Sequence, residues 1–593
     1  MVLIHLFFPE TAMFLRSSVL LLVSVLLGGC AALQSRTVPV VAETEQPQEE
    51  VAPREEGWRT EDLPRIDLSA ELLIRFLAGD IAAQRDQPDL AAKSWFDLAQ
   101  RTRDPRAARR AVELSLNAGQ MAMAQDAAQI WVEAAPQSLL AKQLLVSLLI
   151  RANRLAEVEA YVPGFLKAPP RELADFFMQL HLLWDRKAEP AQVAKLTLLL
   201  TAGQDKLPEA RFARAVMHAS QAREAAAIVE LNEALILRPW WEQAVLYKVQ
   251  LLAQRTPPDA AFAFLRDAID KNPMQQVYPL TLARLLNEAN RPAEARAAYE
   301  AILARQPDQI EALVGVGLLA LQARDFEVAH QMFSSALGRG AKNPNLLRYY
   351  LGQIEEERHR LREALGWYRQ VGGDNARSAQ QRIPRVLAKL GEQEAALRAL
   401  ADFPALSNAE KIEKIQIEGQ VWRELKQPVR GIEVLTKGIA QFPDAVDLYY
   451  DRSLMAEQLN DLAAGEADLR HVLKIQPGNV MALNALGYML ANHTDRLAEA
   501  EKLLEQAIAG EPDNPVIIDS LGWLRFRQGR LKDAAGLLEK AYAQLPDPEI
   551  AAHYAEVLWQ SGDRKKARGV LEAALQLDPE NEIVLETRKR LGL

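Results

Sequence analysis

Prolines recur in this chain at a nearly constant interval, and that interval constrains the fold more than any other feature. Over two long stretches they lie 33 to 35 residues apart, at Pro239, Pro273, Pro307, Pro443, Pro477, Pro512, Pro546 and Pro579. A second series, of small residues, keeps the same interval: Ala215, Val249, Ala283, Gly317, Gly352, Gly419, Ser453, Gly487, Gly522 and Ala555. Most of these positions are followed 12 residues later by a further small residue. Because the three series stay in phase, the chain repeats a structural unit of about 34 residues.

The repeat has a mechanical explanation. Apolar residues recur at helical spacing, and almost no segment after Trp58 alternates as a strand does. Two antiparallel helices approach closely only where small side chains lie at their crossing, and a proline after the second helix ends it. Segments 482–514 and 519–548 resemble the tetratricopeptide repeat closely. The resemblance implies an all-α fold, a tetratricopeptide-repeat α-solenoid in which about eleven to fifteen helix pairs form a right-handed superhelix.

The regularity of the repeat predicts the domain organisation. From 211 to 371 and from 410 to 593 the series are complete, which predicts two tetratricopeptide arrays. Residues 58–210 keep the phase weakly, so degenerate helical repeats are expected there. An irregular repeat is expected over 372–409, where "VGGDN" and "DFPALSN" interrupt the pattern.

The amino-terminal region contains Cys30, the one cysteine of the sequence. Arg16 precedes a short aliphatic run that ends in small residues, the order of an export signal, so residues 1–29 are predicted to be a signal peptide, with Met13 as the possible true start. Leu27-Gly28-Gly29-Cys30 resembles the lipobox of bacterial lipoproteins, which implies acylation of Cys30. A plain secretory signal and a buried core cysteine are the alternatives.

A tether is predicted between this signal and the repeats. Residues 30–57 are rich in proline and acidic side chains and have no aromatic residue before Gly57, so they are expected to be disordered. In lipoproteins an Asp after the acylated cysteine favours the inner membrane. Ala31 stands there, so the resemblance implies a lipid anchor in the outer membrane of a Gram-negative cell, on the periplasmic side.

Charge and motifs exclude several functions. The net charge of −9 argues against nucleic-acid binding, which needs a basic surface. No P-loop, HExxH, GxSxG or EF-hand pattern occurs, so we expect no enzyme activity, no catalytic residue, no metal and no cofactor. His359, His471, His493 and His553 are expected at the surface or at helix ends, and the run from Glu355 to Glu357 is expected on a solvated helix face.

The expected function therefore depends on a binding surface. In the tetratricopeptide family the first helix of each pair lines the concave face, and aromatic and arginine side chains are typical anchors of protein interfaces. The candidate contacts beside the small-residue series are Tyr349, Gln353, Glu356, Arg423, Tyr450, Glu457, Asn484, Tyr488, Asn492, Asp519, Trp523, Arg527, Glu556 and Trp559. Trp523 and Trp559 have an alternative role, which is packing between neighbouring repeats.

The complete layout is similar to one family of outer-membrane tetratricopeptide lipoproteins. The similarity is strongest in "NALGYMLA", "DSLGWLRFRQGRL" and "PDPEIAAHYAEVLWQSG". Its LbcA-type members are adaptors of a periplasmic carboxyl-terminal processing protease. The resemblance implies a scaffold that binds and activates such a protease and presents peptidoglycan hydrolases to it. An assembly lipoprotein for a pilus or secretion pore, another cell-envelope scaffold, and an enzyme or its substrate-binding arm are the alternatives.

Overall fold

The protein is described by a computed structural model that covers residues 63–185, 187–579 and 581–593. The predicted signal peptide, the acylation of Cys30 and the predicted tether lie outside the described residues. The described part contains thirty-one α-helices and one short 3₁₀ helix, with no strand. It divides into two compact units, one ending at Asn290 and the other running from Arg291 to Leu593. The all-α tetratricopeptide-repeat solenoid is therefore confirmed.

The first unit contains six helix pairs and a final single helix. Its helices are α1 Ala70–Gln84, α2 Pro88–Thr102, α3 Pro105–Asn117, α4 Met121–Ala134, α5 Leu139–Arg151, α6 Leu155–Phe165, α7 Pro170–Leu183, α8 Pro190–Leu200, α9 Pro208–Ser220, α10 Glu224–Leu237, α11 Glu242–Ala253, α12 Asp259–Lys271 and α13 Val277–Glu288. Its core is a continuous set of buried residues from Leu98 to Ala213, with Trp131 and Phe165 fully enclosed.

The second unit begins with one helix, continues with eight helix pairs and closes with a last helix. Its helices are α14 Pro292–Arg305, α15 Ile310–Gln322, α16 Phe326–Gly338, α17 Pro344–Glu357, α18 Leu361–Tyr368, α19 Ala376–Lys389, α20 Gln393–Ala401, α21 Asn408–Glu424, α22 Pro428–Gln441, α23 Val446–Gln458, α24 Leu462–Ile475, α25 Val480–His493, α26 Leu497–Gly510, α27 Pro515–Arg527, α28 Leu531–Gln544, α29 Pro548–Gln560, α30 Arg564–Leu577 and α31 Glu582–Arg590.

The predicted irregular stretch 372–409 also folds as a helix pair. A 3₁₀ helix at Gly373–Asn375 leads into α19, which contains Pro384 in its interior. The second helix, α20, has only nine residues. The predicted boundaries of the two arrays stay predictions. The chain divides into its two compact units between Asn290 and Arg291.

Both series of the repeat have the structural role that the sequence predicts. Each second helix that precedes a proline of the series ends two residues before it, as α26 does at Gly510 before Pro512. The small residues lie where the helices of a pair cross. A Cβ added to Gly487 would lie 2.6 Å from the Leu504 side chain of α26, and one added to Gly522 would lie 2.8 Å from Leu538 of α28. Larger residues at these two positions would separate the helices.

The first helix of the described chain differs from the internal first helices in what it exposes. Ile74 of α1 is 65% exposed, whereas Leu347, which occupies the same repeat position in α17, is 2% exposed. Leu77 and Ile81 are exposed on the same side of α1. Internal first helices bury these positions against the preceding repeat, and within the described residues no repeat precedes α1.

Candidate protein-binding face

The candidate contacts of the second unit lie on a surface that its first helices build together. Helices α19, α21 and α23 lie side by side, and so do α25, α27 and α29. The last three each begin at a side-chain cap, supplied by Asn479, Asn514 and Asp547. These caps satisfy backbone N–H groups at the helix starts and fix where each helix begins. We call this surface the first-helix face.

Two of the candidates, Tyr488 and Asp519, belong to a hydrogen-bonded network around His553 of α29. The His553 Nδ1 atom lies 3.0 Å from both carboxylate oxygens of Asp519 on α27. Its Nε2 atom lies 3.3 Å from the hydroxyl of Tyr488 on α25. The Tyr488 hydroxyl in turn donates to Glu549 Oε1 at 3.1 Å. Three successive first helices are thus joined through one imidazole.

The protonation states follow from this geometry. Burial by itself lowers the pKa of His553, but the Asp519 carboxylate outweighs burial and raises that pKa above its ordinary value. A protonated imidazole donates from both nitrogens, to Asp519 and to the Tyr488 oxygen. Burial, followed by the Glu549 and Asp519 carboxylates, raises the pKa of Tyr488 far above its usual range. The phenol therefore stays protonated and acts as a hydrogen-bond donor.

Trp523 of α27 belongs to the packing between repeats. Its ring stacks on His553 with centroids 4.3 Å apart, and its Nε1 donates to Asn492 Oδ1 at 3.1 Å. The indole is 8% exposed. Of the two roles left open for Trp523, the structure shows the packing role, and Asn492 holds the indole rather than projecting from the surface.

Arg527 caps the first helix of the preceding pair. Its Nη1 atom donates to the carbonyl oxygens of Ala491 at 2.7 Å and Asn492 at 2.5 Å, at the end of α25. These carbonyls have no partner within the helix, and a cation is stabilising there. The Arg527 guanidinium is therefore occupied by hydrogen bonds within the protein.

A second network joins α17 to α19 around Glu356. Its carboxylate accepts hydrogen bonds from Arg382 at 3.1 Å, Lys389 at 3.0 Å and the Tyr368 hydroxyl at 2.9 Å. Burial raises the pKa of Glu356, but Lys389 and Arg382 outweigh burial and hold it below its ordinary value. Tyr349 packs against Tyr368, with ring centroids 5.9 Å apart, and Gln353 lies beside the Tyr349 hydroxyl.

The remaining candidates are distributed along the face. Arg423 and Tyr450 are half-buried on α21 and α23, and the charge of Arg423 acts on the buried Asp451. Glu457 at the end of α23 is 3.2 Å from the His493 Nε2 atom of α25. Asn484 is half-buried, and its Oδ1 atom accepts no hydrogen bond within the part of the chain that is described. At the end of the array, separate contacts join Glu556 to Arg590 and Trp559 to Arg564.

Comparisons with known proteins bear on this arrangement. Models of the tetratricopeptide repeat match residues 280–344, 317–378, 456–515 and 525–590. TPR repeat-containing protein PA4667 of Pseudomonas aeruginosa is 31% identical over 576 residues, which cover 91% of this chain and 90% of the relative. This chain belongs to the tetratricopeptide-repeat proteins.

Two further similarities are partial. Bacteriophage adsorption protein A of Escherichia coli K12 is 34% identical over 101 residues, which cover 17% of this chain and 10% of that protein. The crystal structure of a tetratricopeptide repeat protein from Parabacteroides merdae is 16% identical, with a TM-score of 0.30 over 48% of this chain and 99% of that chain.

Two expectations about polar residues of this tetratricopeptide-repeat protein were wrong. His553 was expected at the surface or at a helix end, but it lies inside α29, is 9% exposed and is at the centre of the network on α25, α27 and α29. Glu355 and Glu356 were expected on a solvated face, but both are buried, and Glu355 pairs with His330 at 3.1 Å and Arg358 at 3.2 Å. The signal that could have shown this is position in the repeat: Glu355 and Glu356 follow Gly352 by three and four residues, and His553 precedes Ala555 by two.

The described residues contain neither a cluster suited to a metal ion nor a helix suited to spanning a membrane. Within 63–185, 187–579 and 581–593, no group of three His, Cys, Asp or Glu residues is arranged to hold a metal ion. No helix in these ranges is long and apolar enough to cross a membrane. The networks on the first-helix face hold neighbouring helices together and place carboxylates and aromatic rings on adjacent helices.

Proposed function

We propose that this tetratricopeptide-repeat protein is a periplasmic scaffold anchored in the outer membrane through an acylated Cys30. We further propose that it binds and activates a carboxyl-terminal processing protease and presents peptidoglycan hydrolases to it. Tetratricopeptide-repeat proteins mediate protein–protein interactions. The observation that carries the proposal is the first-helix face, where aromatic and charged side chains are fixed on adjacent helices by buried networks.

The lipid anchor would bring the proteins that bind this scaffold together at one membrane. Two or more acyl chains hold a protein on a membrane far more stably than one. A protease and its substrate that bind the same anchored scaffold share a small volume, so their encounter becomes effectively intramolecular. The Leu27–Cys30 pattern and the proline-rich acidic tether that follows it support this part of the proposal.

The choice of partner rests on the family resemblance. The relative from Pseudomonas aeruginosa, which matches nearly the whole chain, supports a tetratricopeptide-repeat scaffold. The test is affinity purification of the tagged full-length protein from solubilised outer membrane, beside a Cys30→Ala variant. We expect a serine protease and wall hydrolases to co-purify with the anchored protein, and the variant to leave the membrane fraction. A secretin or pilus subunit in place of the protease contradicts the adaptor function and favours an assembly lipoprotein.

A further inference from the structure

Part of the first-helix face carries exposed apolar side chains at matching positions. On α25, Met481 and Tyr488 are seven residues apart and therefore share one side of the helix, and on α27 Val516 and Trp523 do the same. Met481 is 61% exposed and Val516 is 48% exposed. Since α25 and α27 are adjacent, Met481 and Val516 together form one exposed apolar patch. Single exposed apolar residues are ordinary, but a matched pair on neighbouring helices suits a docking surface.

In the part of the chain that the structure describes, the carboxylates beside Met481 and Val516 form no ion pair with Lys or Arg. The Tyr488 hydroxyl lies 3.1 Å from Glu549 and 3.3 Å from His553, and after burial the charges of Glu549, Asp519 and Glu457 raise its pKa. Among the described residues, Glu457 forms an ion pair with His493 alone, and Asp519 with His553 alone. Glu549 accepts a hydrogen bond from Tyr488 and forms no ion pair with a Lys, Arg or His of the described chain. Burial raises the pKa of Glu457, and the nearby Glu549 raises it further.

The arrangement leaves negative charge beside an apolar surface. On α17, by contrast, the buried carboxylate of Glu356 is neutralised by Arg382 and Lys389. In the described chain, the bases paired with Glu457 and Asp519 are the imidazoles of His493 and His553, so a Lys or Arg from outside would complete the balance of charge. Electrostatic complementarity of this kind selects a partner and speeds its association. It excludes acidic segments for the same reason.

We propose that this acidic–apolar surface, made of Glu457, Met481, Tyr488, Val516 and Glu549, binds a basic segment of a protein partner. A Lys or Arg side chain lies between Glu457 and Glu549, and a neighbouring apolar side chain packs on Met481 and Val516. This inference names the chemistry of the partner and rests on the proposed scaffold function. It predicts that the bound protein presents an exposed sequence in which basic and apolar residues alternate.

The test measures fluorescence anisotropy of labelled twelve-residue peptides with the full-length protein in detergent. One peptide alternates Lys and Leu within an Ala and Gly background, and the other has Glu in place of every Lys. We expect the basic peptide to bind at least about tenfold more tightly than the acidic one, with affinity that falls as salt concentration rises.

Substitutions in the acidic–apolar surface test whether the basic peptide binds there. Glu549→Lys changes an exposed side chain, so the fold is retained, and we expect at least about a tenfold loss of affinity for the basic peptide. Glu572→Lys, on the second helix α30, makes the same change of net charge at another exposed carboxylate and serves as the matched control. Met481→Ser is expected to weaken binding without altering its salt dependence.

The outcomes separate this inference from the proposed function. Loss of basic-peptide binding in Glu549→Lys but not in Glu572→Lys supports the inference even if no protease co-purifies with the protein. Equal binding of both peptides, or equal loss in both charge variants, overturns the inference even if the protease is captured.

Discussion

Replacing Asp519 with Asn tests how the candidate face is held together. The carboxylate and His553 are both buried, and the His553 Nδ1 atom contacts both Asp519 oxygens at 3.0 Å. A hydrogen bond to a charged group contributes about 1.5–3 kcal/mol. A buried charge that loses its partner costs about 3–5 kcal/mol. Because an Asn oxygen still accepts a hydrogen bond, we expect Asp519→Asn to lower the local unfolding free energy by about 2–4 kcal/mol at pH 6.

The loss depends on pH in a defined direction. Burial lowers the pKa of His553, and Asp519 more than reverses that effect, so the folded pKa lies above the ordinary value of 6.5. The stabilisation is therefore complete below pH 6.5 and is lost as the pH rises through the folded pKa. The difference between the wild-type protein and Asp519→Asn should be largest in mild acid and should shrink in alkaline solution.

Amide hydrogen exchange measured by mass spectrometry is the appropriate assay, because repeat arrays do not unfold as a single unit. Protection should fall in α25, α27 and α29, while helices of the first unit keep theirs. Asp533→Asn is the matched control, since Asp533 forms an exposed ion pair with Arg530 at 2.6 Å. That variant should cost less than about 1 kcal/mol. Equal effects of the two variants, or a loss that grows with pH, would refute the reasoning.

Three further predictions concern packing and charge. Leu347→Glu should lower the unfolding free energy by more than about 3 kcal/mol, because Leu347 is buried. Ile74→Glu, at the same repeat position in α1, should change it by less than about 0.5 kcal/mol, because Ile74 is exposed. Thermal unfolding followed by circular dichroism measures both. Gly487→Ala should cost about 1–3 kcal/mol in urea unfolding because its Cβ meets Leu504, whereas Gly569→Ala, on an open helix surface, should be neutral or stabilising. Glu356→Gln should destabilise the protein at pH 7, and urea titrations should show the difference shrinking as the pH falls below 4.5, because the lowered pKa of Glu356 makes its contribution fade in acid.

The architecture was predictable from the sequence because it depends on short-range rules. A proline two residues after a helix and a glycine at a helix crossing act through backbone geometry, and both leave a fixed interval in the sequence. The same rules located the first helices and therefore the face that carries Tyr488 and Asp519.

The networks on that face were not predictable, because they join residues about one repeat apart through particular side-chain directions. Asp519 and His553 are 34 residues apart, and nothing in the periodicity indicates that a carboxylate will meet an imidazole. Glu355 and Glu356 look like solvated residues by composition, yet burial becomes favourable once Arg382 and Lys389 approach Glu356 from α19.

Site-specific photo-crosslinking tests the central claim, that the first-helix face of the second unit binds the proposed partners. A benzophenone amino acid is placed at position 481 in the full-length protein in its own membrane, with position 569 on α30 as the control; both residues are exposed. Position 481 is expected to crosslink to the processing protease or to a wall hydrolase, and position 569 is not. Crosslinks of equal yield at the two positions, or none to either class of protein at position 481, would contradict the claim.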